Sequence, residues 1–394
     1  MGGDFLKESI GILIGGKSVE HEVSIITGLQ VLENIDKEKY EPIIIYIRKD
    51  GSWVLGESLY DIKSYKTKNF KDVYEVVPIA DNNKLTLYPH PVKTKKNLFK
   101  CFFRKPKPVV IDVLFPAMHG TNAEDGCIHG FCQMNGVPCA FGTVLSSAVG
   151  MDKVIMKKLF VADKLPIVDY IWFYKNEFLI NMEKVIANSE IIGYPLIVKP
   201  ANLGSSVGIS KANNQDELIN AIQVAISYDK KIIVEKCIEN LREINCAVMG
   251  YEDDLITSLC EEPLNYKDFL SYEDKYINNS KNNINGKRKI PADIDEETKN
   301  KIFELAKSAF NAIDCSGNAR IDFLYDGNNI YINEINTIPG SLAFYLWEAT
   351  DISFKELITK IIGIAEEETK DRRTNIISYN VDLINNMGKY GKHK

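Results

Sequence analysis

Arg320, Asp322, Glu334 and Asn336 place a guanidinium, two carboxylates and an amide on two short apolar runs, Ala319–Tyr325 (ARIDFLY) and Ile330–Asn336 (IYINEIN). Both runs are rich in β-formers, and Asp326-Gly327-Asn328-Asn329 between them is a turn signal, which predicts a β-hairpin. Alternate residues of a strand share a face, so Arg320 goes with Asp322 and Glu334 with Asn336. With a three-residue loop, Gly327–Asn329, Asp322 would face Glu334 and Arg320 would face Asn336. An even loop would separate them, so if they share a face the turn must be odd-numbered or bulged. Oxygen ligands gathered this way suit Mg²⁺, which commonly accompanies nucleotide phosphates. The competing reading is a solvated strand face with an ordinary salt bridge.

Other stretches bear on the same chemistry. Lys199-Pro200-Ala201-Asn202-Leu203-Gly204-Ser205-Ser206-Val207-Gly208 follows an apolar strand and is built from small residues. Such a loop lets backbone N–H groups and two hydroxyls close on an anion, although a plain Gly/Ser turn would look the same. Lys199 at the strand end must reach solvent or a ligand, because burying it unpaired is costly. Glu235 ends another strand, placed either to hold a ribose hydroxyl or to serve as a salt-bridge partner. His119 with Glu124 and Asp125 lies in a glycine-bounded loop past the end of the strand at 108–115, the edge where open α/β sheets bind ligands. The long polar segment Asn265–Lys289 carries Tyr272, Lys275 and Tyr276 and reads as a lid. Gly11–Ser18 (GILIGGKS) matches the phosphate-loop pattern, but Gly11 sits inside an apolar strand and Ile12–Ile14 call for burial. A phosphate-loop NTPase, with 108–115 as its metal strand, stays as the remote alternative.

These residues need a frame. The chain has 394 residues, enough for two or three domains. Its net charge of −6 argues against a nucleic-acid binder held by bulk charge. No apolar run approaches a membrane span and the N-terminus lacks a signal-peptide pattern, so a cytoplasmic protein is expected. Eight scattered cysteines without a CxxC pair read as free thiols. Strands at Ser9–Ile14 and Pro42–Ile47 flank a helix at 23–35 and predict a parallel sheet. A single helical stretch is expected over 145–160, strands at 170–174, 196–200, 208–210 and 232–236, and a helix over 295–313.

Taken in order, IGGKSVEHEVS, HGTNAEDG, MDK, IVKPANLGSSVGISK, IVEK, DFLSYEDKY, ARIDF and NEINTIPG resemble the D-alanine–D-alanine ligase family over residues 9 to 367. The resemblance implies an α/β protein, α+β in its ATP-binding part, with the three-domain ATP-grasp fold: an N-terminal parallel-sheet domain (1–145), then central (146–240) and C-terminal (241–370) parts whose two sheets sandwich ATP. A lid would span 265–290 and a polar tail 371–394. It also implies joining of two D-amino acids for peptidoglycan through an acyl phosphate. Glu20 would hold the first ammonium and His119 would lie near that substrate's carboxylate. Lys153 and Lys199 would contact phosphates under the loop carrying Ser205 and Ser206, with Ser205 bridging Glu20 and Tyr276. Glu235 and Lys236 would border the adenine, and Glu243 would bind ribose. Lys275 and Tyr276 would sit on the lid. Arg320 would steady the transferring phosphate, Gly340 would donate an N–H to the oxyanion, and Asp322, Glu334 and Asn336 would bind two Mg²⁺ ions, with Mn²⁺ as a substitute. A homodimer is within the family's habits. One departure stands out. Where many members have a serine for the second substrate's carboxylate, five residues after the glycine, this chain has Tyr345. With Ser341 as a stand-in, that leaves D-alanine, D-serine and D-lactate open as second substrates, in that order of preference.

Overall fold

A computed structural model describes residues 7–81, 83–90, 106–204, 206–264 and 288–376. Ser205, Lys275, Tyr276, nearly all of the expected lid and the tail beyond 376 lie outside the described residues.

The first unit begins with β1 (Glu8–Gly15), α1 (His21–Asn34), β2 (Tyr40–Ile47) and β3 (Trp53–Leu55). It continues with α2 (Ile62–Thr67), β4 (Tyr74–Asp81), β5 (Lys84–Pro89), β6 (Val109–Ile111) and β7 (Val113–Pro116). The seven strands form one sheet in the order β6-β5-β4-β3-β2-β1-β7. Only β2-β1-β7 run parallel; β3 to β6 add an antiparallel extension. The expected parallel sheet is thus confined to one side. The link from Arg48 to Ser52 is a tight turn, far too short for a crossover, so β3 must reverse direction.

The phosphate-loop alternative fails here. Gly11 lies mid-strand, where a Cβ would stand 2.8 Å from side-chain carbons of Ile45 and Ile111. Ile12, Leu13 and Ile14 are fully buried. Nothing of GILIGGKS before Gly15 is available to wrap an anion.

Helix α3 (Cys127–Met134) follows the His119 loop. The single helix expected over 145–160 is two, α4 (Val144–Met151) and α5 (Lys153–Ala162). Asp152 breaks them. Its carboxylate accepts from the N–H groups of Val154 and Ile155, capping the second helix.

The central sheet has the order β10-β9-β11-β8, from β8 (Tyr170–Tyr174), β9 (Leu196–Pro200), β10 (Ser210–Ala212) and β11 (Lys231–Lys236). α6 (Lys175–Ile180), α7 (Met182–Glu190) and α8 (Gln215–Ala225) cover its outer face through Leu196, Val198, Ile232 and Val234. β10 starts two residues later than expected. Gly208 has φ +75, and a Cβ there would press on Tyr228 and Pro200, so it belongs to the loop.

The third sheet, β13-β12-β16-β17, is antiparallel and uses β12 (Arg242–Tyr251), β13 (Asp254–Thr257), β16 (Gly317–Tyr325) and β17 (Ile330–Asn336). A short pair, β14 (Glu262–Pro263) and β15 (Arg288–Lys289), flanks it. α9 (Glu296–Ala312) packs Ile302, Ala306 and Phe310 against Ile321, Phe323 and Ile332 beneath the sheet. α10 (Phe344–Glu348) and α11 (Phe354–Thr374) then return to the first sheet, where Leu357, Ile358, Ile361 and Ile362 join the core of Ile12, Phe115 and Phe141.

The hairpin pairs as expected, through a bulge and not an odd loop. Asp322 faces Glu334 and Arg320 faces Asn336. Tyr325 pairs with Ile330, so the loop holds Asp326–Asn329 rather than three residues, and a β-bulge at Asn333 restores the register.

Candidate active site

The upper face of the third sheet carries the polar row. On β16, Arg320, Asp322 and Leu324 are half-exposed while Ala319, Ile321, Phe323 and Tyr325 are buried against α9. Arg320 donates to Asp322 through two nitrogens, at 2.6 and 2.7 Å, a bidentate fork. Asn336 donates to Asp322 Oδ2 at 3.1 Å. Burial would lower the guanidinium's pKa, but Asp322 outweighs it and holds Arg320 well above its usual value. Glu243 and Asn245 on β12 lie opposite Leu324 and Asp322, so they point to the same side.

The central sheet faces this row with lysines. Lys199 on β9 and Glu235 on β11 share its inner face and meet at 2.6 Å. Lys199 also donates to Asn333 Oδ1 at 3.1 Å, so the bulged residue of β17 touches the opposite sheet. Lys153, at the first turn of α5, stands 3.2 Å from Glu334 and donates to the Leu203 carbonyl at 3.1 Å, anchoring the small-residue loop. One turn on, fully buried Lys157 approaches Glu235 at 3.1 Å, near enough for charge pairing but poorly aligned for a hydrogen bond. Burial works against Glu235's ionised form, yet Lys157 and Lys199 outweigh it and hold its pKa down at about 2. Burial lowers the Lys157 pKa, whereas Glu235 overcomes burial at Lys199 and raises it.

This decides between the two readings that the sequence left open for Glu235. Its carboxylate, 2% exposed, is held between two ammonium groups and is not open to a ribose; the salt-bridge reading is the one the structure shows. Lys236 gives two hydrogen bonds from its ammonium, to the carbonyls of Gly193 and Tyr194, both at 3.0 Å.

The first unit closes the third side. His119 is buried; its Nδ1 donates to the Ile338 carbonyl at 3.1 Å, and its Nε2 pairs with the Thr27 hydroxyl at 2.9 Å. Burial lowers its pKa, against the opposing pull of Glu20 and the Ile338 carbonyl. Glu20, 5% exposed, lies against the His119 loop: a Cβ on Gly120 would stand 2.7 Å from its Oε2, and one on Gly204 would stand 3.8 Å away. Gly120 has φ +73, a second reason for glycine there. Glu124 accepts from the Gly120 N–H at 2.6 Å, and burial together with Glu20 pushes its pKa up to about 8. Ser206 adopts a left-handed φ of 58 in the loop between these groups.

Past the hairpin, Gly340 opens a turn in which Ser341, Leu342 and Ala343 are all left-handed, with φ of 48, 55 and 52. Such a run is strained for non-glycine residues. Buried Asn318 holds it, donating to the Leu342 carbonyl at 2.9 Å and accepting from Trp347 Nε1 at 2.9 Å. Tyr345 follows, and its hydroxyl donates to Glu261 at 2.9 Å. A polar cavity of about 600 Å³ elsewhere, lined by Thr143, Asp314, Glu368 and Arg372, contains none of these groups.

The central sheet with α5, carrying Lys199, Lys153 and Lys157, thus faces the carboxylate row of the third sheet across a slot whose third side is the His119 loop. Family models described as D-ala D-ala ligase N-terminus and C-terminus match residues 9–141 and 159–363. The chain belongs to the D-ala D-ala ligase family. A relative from Thermosipho africanus named D-alanine--D-alanine ligase is 42% identical over 95% of this chain and 98% of its own length. The D-alanine-D-alanine ligase structure from Coxiella burnetii matches with a TM-score of 0.77 at 26% identity, covering 93% of this chain and 96% of that one. The VanG D-Ala:D-Ser ligase from Enterococcus faecalis matches with a TM-score of 0.74 at 31% identity, covering 91% and 100%. The fold is accordingly ATP-grasp.

Sequence reasoning about this D-ala D-ala ligase family member passed over Lys157, Asn245, Glu261, Arg288, Asn318 and Asn333. Lys157 had a local signal, since it stands one helical turn after Lys153 and faces the same way. The others come together only through strand pairing.

Proposed function

We propose that the protein is a Mg²⁺- and ATP-dependent ligase that joins two D-alanines to give D-alanyl-D-alanine for peptidoglycan. The observation that carries this reading is the slot itself: Lys153 and Lys199 stand at its edge, charge-paired with Glu334 and Glu235 and, at Lys199, hydrogen-bonded to Asn333, where a triphosphate would take up their charge. Asp322, Glu334 and Asn336 present hard oxygen donors on one sheet face, a set that fits Mg²⁺ or Mn²⁺. Two such ions bound there would neutralise phosphate charge.

A carboxylate resists attack by an amine until its oxygen is made a leaving group, and phosphorylation by ATP does that. The protein's share is then positioning and charge compensation. Glu20 receives the first ammonium, beside His119. Lys153, Lys199 and Ser206 hold phosphates with Ser205. Arg320, held rigid by Asp322, stabilises the transferring phosphoryl and the later oxyanion, together with the Gly340 N–H. Glu243 takes the ribose, and Lys275 and Tyr276, outside the described residues, are the side chains we assign to keeping water from the acyl phosphate. The expected boundaries at 145 and 240 would assign these duties to substrate, central and C-terminal parts, with α11 returning to the core of the first. ATP as the energy source puts the reaction in the cytoplasm, and no helix among the described residues is long and apolar enough to cross a membrane. A homodimer is the assembly we assign.

D-Serine is the second reading for the acceptor, left open by Tyr345 and favoured by the likeness to a D-Ala:D-Ser ligase. The test is product analysis by mass spectrometry with ATP and mixed D-alanine, D-serine and D-lactate. Phosphate release should require D-alanine and ignore L-alanine. ATP turnover indifferent to amino acids would remove the proposal.

A further inference from the structure

Glu334, Asp322, Asn245 and Glu261 stand side by side across four neighbouring segments: Glu334 faces Asp322, Asp322 faces Asn245, and Asn245 bridges Glu261. With strands about 4.8 Å apart, Glu261 lies roughly 10 Å from Asp322 along this line. The row leads from the carboxylates that fit a metal to a second polar centre on the same face.

At that centre Glu261 is 3% exposed and collects three donors. Asn245 Nδ2 and the Tyr345 hydroxyl both donate to its Oε1 at 2.9 Å, and Arg288 donates to Oε2 at 3.1 Å. The Arg288 guanidinium also lies 3.9 Å from the centre of the Tyr345 ring, a stacked cation–π contact that fixes its plane. β15 pairing with β14 holds its backbone. Only one of its terminal nitrogens is used by Glu261, and its side chain keeps 22% of its surface open.

We propose that Arg288, braced by Tyr345 and Glu261, binds the carboxylate of the second amino acid and makes a free α-carboxylate a condition for acceptance. This rests on the ligase reading above. An acceptor that attacks through a neutral amine carries its charge on the carboxylate, and the matching group is a planar cation with paired donors. Arg320 is unsuited to that task, because Asp322 already occupies two of its nitrogens. Glu261 compensates the Arg288 charge and fixes its orientation, and the Tyr345 ring walls one side.

The experiment separates the half-reactions. Trapping D-alanyl phosphate with hydroxylamine needs the first amino acid only, whereas dipeptide formation needs both. In Arg288→Gln the dipeptide reaction should show at least a tenfold higher KM for the acceptor, while hydroxamate formation stays near the wild-type rate, which also shows that the variant is folded. Arg288→Lys should recover part of the acceptor affinity. The wild type should reject D-alaninamide as acceptor. An acceptor KM within twofold of wild type, or hydroxamate and dipeptide rates falling together, overturns the assignment. A wild type that makes neither product from D-alanine and ATP overturns the ligase reading and this proposal with it.

Discussion

Glu235 is the residue whose removal should be felt most sharply, because two buried lysines depend on it. In Glu235→Ala, Lys157 keeps a charge in a fully buried position with no counter-charge, a situation that costs about 3–5 kcal/mol. Urea unfolding monitored by circular dichroism should show that loss. Lys157→Met removes the stranded charge at similar volume and leaves the Lys199–Glu235 pair, so it should cost far less. Equal losses in the two variants would mean that packing, not charge, sets the value of the site. Glu124 gives a pH signature. Its folded pKa, about 8, lies above the ordinary 4.5, so the folded protein holds this proton more tightly than the unfolded chain does. The stabilisation is complete below about 4.5 and is lost as pH rises toward 8. Glu124→Gln, which cannot ionise, should flatten that part of the stability–pH curve between pH 5 and 8. An unchanged slope would show that Glu124 is not the group responsible.

At the scale of elements the bulge in β17 carries most meaning. It sets Asn333 and Glu334 on one face, so that Glu334 keeps its place opposite Asp322 while Asn333 reaches Lys199. Deleting Asn333 would leave Ile332 opposite Phe323 and Glu334 opposite Asp322 in a regular ladder. The protein should therefore still fold, by circular dichroism, but lose the contact across the slot. We expect the KM for ATP to rise several-fold in this deletion and in Asn333→Ala, with little change in the KM for D-alanine. A deletion that fails to fold while Asn333→Ala binds ATP normally would reduce the bulge to a structural necessity. The hairpin, the shared faces and the pairing of Asp322 with Glu334 were legible in the sequence, which required an odd loop or a bulge, and the structure uses the bulge. A signal for the bulge was present: the apolar residues Ile330 and Ile332 are two apart, whereas Ile332 and Ile335 are three apart, and a strand cannot bury all three without an extra residue. The break at Asp152 was similarly visible as a capping residue inside a helical stretch. Glu235's role and the Glu261–Arg288–Tyr345 cluster had no such signal, because they depend on which strands become neighbours.

The whole molecule is tied together more tightly than a chain of three separate parts. His119 reaches the exit of β17, Lys153 and Lys199 reach its bulge, and α11, from the far end of the described chain, fills the core of the first sheet. A first part ending near residue 145 would leave that core open where Phe354, Leu357, Ile358, Ile361 and Ile362 now sit. Sequence periodicity shows that α11 has an apolar stripe, but cannot say which sheet receives it. The arrangement makes a prediction about unfolding. Leu357 is fully buried, so Leu357→Ala should cost about 2–5 kcal/mol through lost burial and an unfilled cavity. Trp53 packs on the same core from β3, three hundred residues away in sequence, and Trp347 lies buried within it. If α11 is an integral part of the first unit, the tryptophan fluorescence transition in urea should move to lower denaturant together with the circular dichroism transition, as one cooperative step. A fluorescence transition that stays at the wild-type midpoint while the helical signal is lost early would show that α11 only rests on a core able to stand without it.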